Sequence, residues 1–336
     1  MPGRGSMPPA ISVGISTAAV GAALTFTIWW FALRTHNGQL TDWMAFEGLI
    51  TFLQQNDLRG IETLLGSLRI LATLILLLAA ALLVIARRHW LVAAQVVAVV
   101  VGASATGSLM GQFSPNFFQP QALTSFPFTD SVDLMTVLFA SAAVAVIMAT
   151  RPANRAVVAV LCAGLVGVLT AAQLVSYAQR PSMGIMALLV VTTWTGLVVA
   201  GTAIARRRGL NLAAPEGPPA SKANTAVGVL VLVLFGLAAG ATAVVLMVQW
   251  HAGSLPATGR YGYEILSFLG PALAVGATAC LTAAANLVTV QAGGHIRPAG
   301  GQPAHPAGPD QTDQPGRPDV PAGQQRDHDH RMTETT

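Results

Sequence analysis

Apolar runs of membrane-spanning length recur eight times along the chain, at 11–33, 70–86, 90–110, 134–150, 156–178, 184–205, 226–250 and 265–290. None of them contains Lys, Arg, Asp or Glu. A hydrocarbon core about 30 Å thick takes roughly 20 apolar residues per helix, so each run predicts a transmembrane helix. The runs are continuous and rich in Leu, Ala and Val, not alternating, which argues against a strand barrel. The expected fold class is all-α, a polytopic membrane bundle of about eight helices. Between the first two runs, Trp43, Phe46, Ile50 and Leu53 recur at helical spacing, which predicts a helix over 41–65 lying at the membrane surface.

The polar junctions orient the bundle. Arg4, Arg87, Arg88, Arg151, Arg155, Arg206, Arg207, Arg208 and Lys222 fall at alternate junctions, while the others carry only Arg34, Arg59, Arg69, Arg180 and Arg260. By the positive-inside rule both termini are expected in the cytoplasm of a bacterial plasma membrane. With 10% charged and 53% hydrophobic residues, the net charge of +4 reads as topogenic bias and argues against a nucleic-acid partner. The first run is too long for a signal peptide and is kept as a span. Cys162 and Cys280 lie inside predicted spans and are expected as small buried apolar residues, not as a disulfide.

The chain divides into a six-span core (1–209), a Pro-containing linker (210–224) that follows three arginines and holds Lys222, two further spans (225–291) and a tail (292–336) rich in Gly, Pro, Gln and Asp. The tail has too few aliphatic side chains to offset its ordering entropy, so disorder is expected. It ends in Asp327-His328-Asp329-His330, read as solvated. No internal repeat is visible. Gly107 with Gly111, and Gly236 with Gly240, have small-xxx-small spacing that permits close helix contact, within one bundle or across a homodimer. Trp250, Tyr261 and Tyr263 read as an interfacial aromatic belt.

Three fragments carry a resemblance. Phe31-Ala32-Leu33-Arg34-Thr35 is followed by Gly38-Gln39 and Asp42; Ser125-Phe126-Pro127 opens the fourth span; Arg180-Pro181-Ser182 opens the sixth. In this order residues 31–209 resemble the bacterial phosphatidic acid phosphatase type 2 superfamily, whose actinobacterial members have a similar lead-in. The resemblance implies a six-helix fold with an outward-facing phosphate site. In that family one His attacks phosphorus, a second His paired with a carboxylate handles the leaving-group proton, and Lys and Arg hold the phosphoryl oxygens.

Carried over position by position, the chemistry is missing. The proton-handling His position holds Asp130, the nucleophile position Gln179, and the supporting carboxylate position Met183. Gln173 stands where an Arg is expected, and Asn116-Phe117 where Arg-Pro would stand. Lys222 is the sole lysine and falls in the cytoplasmic linker. Asp130 and Asp133 together would repel a phosphate dianion at that helix start. Asp130 is instead expected to cap the fourth span. Arg180 is expected to pair with Asp130 or Asp133 or to meet lipid headgroups.

No residue is therefore assigned a catalytic role, and no cofactor or metal is implied. Arg180, Ser182, Asp130 and Asp133 remain as ligand-binding candidates. The resemblance implies a catalytically inactive membrane protein that binds a phospholipid or polyprenyl lipid, or braces a membrane-protein partner. An active lipid phosphate or polyprenyl diphosphate phosphatase with substituted residues is the first alternative. A transporter is the second, and the lack of ionisable residues in the spans counts against it.

Overall fold

The computed structural model describes residues 9–35, 37–42, 59–87, 90–112, 132–175, 180–208, 210, 221–251 and 259–294. Among the described residues eight α-helices follow the apolar runs: α1 (Pro9–Arg34), α2 (Arg59–Arg87), α3 (Trp90–Gln112), α4 (Leu134–Ala149), α5 (Arg155–Val175), α6 (Pro181–Arg207), α7 (Lys222–His251) and α8 (Gly259–Gly294). Residues 37–42 are also helical, and no strand occurs among the described residues. Met1–Ile296 forms one compact unit; of the predicted tail, 292–294 end α8 and 295–336 lie outside the described residues. The surface helix expected over 41–65 is only partly described: its last residues belong to α2, and 43–58 lie outside the described residues.

Seven of these helices are long and apolar enough to cross a membrane. The exception is α4, with 16 residues. At 1.5 Å per residue it spans about 24 Å, short of the full hydrocarbon thickness. The fourth apolar run is thus an interior rod and not a span of ordinary length. It packs on α2, α3, α5 and α6, and Thr136, Val137, Phe139, Ser141, Ala142 and Ile147 are almost completely buried. Beyond its exposed first residues, Leu134 and Met135, the helix is covered by protein, and it has no need to match the bilayer because its termini are satisfied by protein groups. Asp133 caps its start. At its end the buried Arg155 donates from Nε to the Thr150 carbonyl (3.1 Å) and from Nη2 to the Met148 carbonyl (3.4 Å). A cation at a helix C-terminus also complements the helix dipole.

The outward faces have the reverse character. Along α2, Ile70, Leu71, Leu74, Ile75, Leu78, Leu82 and Ile85 are exposed, and along α7 so are Leu230, Leu234, Phe235, Leu237, Val244 and Val248. Large apolar side chains exposed along whole helices fit a hydrocarbon solvent and not water. In lipid, apolar burial gives little drive for helix association, so close packing of small residues holds the bundle together.

Three seams show this. A Cβ placed on Gly14 of α1 would lie 2.8 Å from the Gly196 carbonyl of α6, and one on Gly196 would lie 2.6 Å from the Gly14 carbonyl. Gly236 of α7 sits against Leu281 and the Ala277 carbonyl of α8, and Gly240 against Ala277. The Gly236/Gly240 pair therefore packs inside the bundle. Trp194 of α6 lies over Gly102 of α3 and donates its indole N–H to Thr106 (2.9 Å). The last helix, α8, packs on α1, α5, α6 and α7.

Candidate functional site

Among the described residues, Arg180, Ser182 and Met183 stand at the start of α6 and Asp133 at the start of α4. Local chemistry at the start of α6 sets the geometry there. Arg180 occupies the N-cap position with extended backbone and makes no capping bond from its own side chain. Pro181 follows at the first helical position and has no N–H to donate. The first free donor of the helix is therefore the Ser182 N–H, and it needs an acceptor from elsewhere.

Asp42 supplies it. Its Oδ1 accepts from the Ser182 backbone N–H (3.0 Å) and its Oδ2 from the Ser182 hydroxyl (2.6 Å). The Arg180 Nε lies 3.9 Å from Oδ2, so the carboxylate has a cationic partner beside the helix start. Asp42 is only 6% exposed and Arg180 20%. Burial pushes the Asp42 carboxyl above its ordinary range, while the Arg180 charge and the two Ser182 bonds pull it back. The net direction is upward.

Arg180 pairs with Asp42, a residue of the lead-in fragment; Asp133, one of the two partners expected for it, caps α4, and Asp130, the other, lies outside the described residues. The physical reason is Pro181: the start of α6 needs a remote cap, and the carboxylate that reaches it also attracts the adjacent guanidinium. Asp133 serves its own helix. Its Oδ2 accepts from both the N–H and the hydroxyl of Thr136, each at 2.6 Å. Gln173 of α5, fully buried, donates to the Thr136 hydroxyl oxygen (3.1 Å). The chain Gln173–Thr136–Asp133 thus ties the end of α5 to the start of α4. Met183 is buried in the first turn of α6. Asp130 and Gln179 lie outside the described residues, as do Asn116 and Phe117.

Chemically this arrangement resembles a lock more than a phosphate cradle. A phosphate at a helix start is held by free N–H groups and cations. Here the Asp42 carboxyl takes that place. Among the described residues no three His, Cys, Asp or Glu side chains converge. Cys162 and Cys280 are free thiols.

A second feature lies within the membrane-spanning region and was missed from the sequence. Helices α1, α6 and α8 enclose a groove of about 470 Å³ lined chiefly by aliphatic side chains and threonines. That size falls within the roughly 300–1,000 Å³ of small-molecule sites. Threonines at helical spacing in α8 (Thr278, Thr282) were the available signal.

The fold and these sites define a multi-pass α-helical membrane protein. No family model matches the chain, and neither the curated proteins nor the solved structures provide a match.

Proposed function

We propose that this is a membrane-embedded relative of the phosphatidic acid phosphatase type 2 proteins that binds lipid without hydrolysing it. One observation carries the reading: Arg180, the cation that the resemblance places in the phosphate pocket, is engaged by the buried Asp42. A phosphate entering there would have to displace a carboxylate that already holds the helix N–H and the Ser182 hydroxyl. The substitutions Gln179 and Met183 remove the nucleophile and its supporting carboxylate from the same pattern. What remains is a rigid bundle suited to holding a lipid or bracing a membrane-protein partner in a bacterial plasma membrane, both termini cytoplasmic.

Purified protein in detergent, given phosphatidic acid and a prenyl diphosphate, is expected to release no phosphate above a protein-free control. Mass spectrometry of the same preparation is expected to find co-purifying lipid. Phosphate release that disappears in Asp130→Ala would establish the phosphatase alternative instead. Reporter fusions after Gly294 test the orientation: a periplasmic signal there contradicts cytoplasmic termini.

A further inference from the structure

We propose that the groove between α1, α6 and α8 binds an uncharged lipid through a hydroxyl group, a long-chain alcohol being the chemical class. Four threonines on its wall have their only proton committed. Thr192 donates to the Leu188 carbonyl (2.9 Å), Thr278 to that of Ala274 (2.9 Å) and Thr282 to that of Thr278 (2.7 Å). Thr289 donates to the Ala285 carbonyl (2.7 Å), so in its 2.9 Å bond with Thr17 the proton comes from Thr17. The groove threonines therefore offer lone pairs and no protons.

Behind this wall lies Asn286, 4% exposed, on a neighbouring cavity of about 30 Å³ between α4, α5, α6 and α8. Thr282 lines both spaces. Asn286 donates from Nδ2 to the Thr192 hydroxyl oxygen (3.3 Å). Because Thr192 has spent its proton on Leu188, this is the only amide orientation that bond allows. The Asn286 Oδ1 is then left buried without a partner. An orphaned carbonyl in the interior of a bundle is costly, and a donor that reaches it is correspondingly favoured. The small cavity exceeds the roughly 10–15 Å³ that one water-sized group needs.

The ligand chemistry follows. The groove is apolar along its length, so the ligand has a hydrocarbon body. Its threonines accept only, so the ligand carries an O–H donor; Ser16, exposed on the same wall, can in turn donate to that oxygen. No charged side chain lines either space, so phosphate, carboxylate or ammonium heads are disfavoured. This deepens the lipid-binding reading by naming the ligand's chemistry, but it is independent of the Asp42 lock.

The test uses three photoreactive diazirine probes of one chain length, ending in hydroxyl, carboxylate or methyl, with the full chain in nanodiscs. The expected result is labelling on α1, α6 and α8, with the alcohol favoured over the hydrocarbon roughly fivefold, the value of one hydrogen bond. Asn286→Leu should bring the two probes to parity while leaving hydrocarbon labelling in place. Val20→Phe, on the exposed rim and away from Asn286, should reduce labelling by all three. Equal labelling by alcohol and hydrocarbon in the unaltered protein overturns the proposal, as does preference for the carboxylate. If co-purified phospholipid persists while alcohol selectivity is absent, this inference fails and the lipid-binding reading stands.

Discussion

The Asp42 carboxylate accepts both the N–H and the hydroxyl of Ser182, a residue 140 positions further along the chain. The pair closes the seam between the end of α1 and the start of α6, and it caps a helix whose own N-cap side chain is an arginine. Removing the acceptor exposes two buried donors at once. Asp42→Ala is expected to destabilise the detergent-solubilised protein by about 2 kcal/mol, the value of losing charged-group bonds at a helix start. Asp42→Asn keeps an acceptor for the N–H and can donate to the Ser182 oxygen, so its loss should stay below about 1 kcal/mol. Thermal unfolding of the two variants beside the parent measures the difference; equal losses would show that the hydrogen bonds are not what matters.

The same residue sets a pH dependence. The folded state holds the Asp42 proton more tightly than the unfolded chain, because burial raises its carboxyl above the ordinary 3.8 despite Arg180 and Ser182. Unfolded protein therefore binds fewer protons in the window that opens at 3.8 and extends upward. There stability falls as pH rises: the Asp42 contribution is complete below 3.8 and lost as pH passes the folded value. Melting temperatures from pH 4 upward should decline more steeply in the parent than in Asp42→Asn. The opposite slope difference would mean that the Arg180 charge outweighs burial.

The α1–α6 crossing gives a steric prediction. Adding one methyl at Gly196 places it 2.6 Å from the Gly14 carbonyl and 2.8 Å from the Ala18 nitrogen, both backbone atoms that cannot turn aside. Gly196→Ala should cost about 2 kcal/mol through separation of the two helices. Gly164→Ala and Gly201→Ala meet nothing within 4 Å and serve as controls. They should be neutral or stabilising by roughly 0.5–1 kcal/mol, since Ala restricts the unfolded chain. Unfolding in detergent of the three variants separates the seam from a general effect of glycine replacement.

How far the sequence could be read depends on the range of each interaction. The eight rods were legible because lipid solvation acts on each helix separately: the run at 90–110 became α3 (Trp90–Gln112), and the run at 226–250 became α7 (Lys222–His251). Helices overrun the apolar stretches because Arg34, Arg87 and Arg207 continue the backbone hydrogen bonding into the polar zone. The short interior role of α4 was not legible, since a core helix and a span share composition and differ only in what surrounds them. The Asp42–Ser182 contact depends on tertiary placement that no local pattern encodes. Gly14, Ala18, Gly196 and Ala200 do show small-xxx-small spacing, yet so do many positions in an Ala- and Gly-rich chain. Gln173 bonds Thr136, whereas Asn286 satisfies only its amide nitrogen.

Arg155 separates a topological from a structural use of charge. By sequence it counts among the basic residues that orient the chain, yet its side chain is 4% exposed and holds the Thr150 and Met148 carbonyls at the end of α4. Arg206 makes a similar bond to the Gly293 carbonyl at the end of α8 (3.1 Å). If orientation were its main task, Arg155→Lys would be silent, because the charge is kept. If capping is, the lysine fails, since its single ammonium cannot reproduce the guanidinium's pair of directed donors. Arg155→Lys is therefore expected to destabilise by about 1–2 kcal/mol and Arg155→Met by about 2–3 kcal/mol, as carbonyls at the buried helix end lose charged donors. Arg151 and the arginines at 206–208 should keep the orientation unchanged in both variants. Thermal unfolding reports the first effect, and a reporter fused after Gly294 reports the second. Full stability in Arg155→Lys would return this residue to a purely topogenic role.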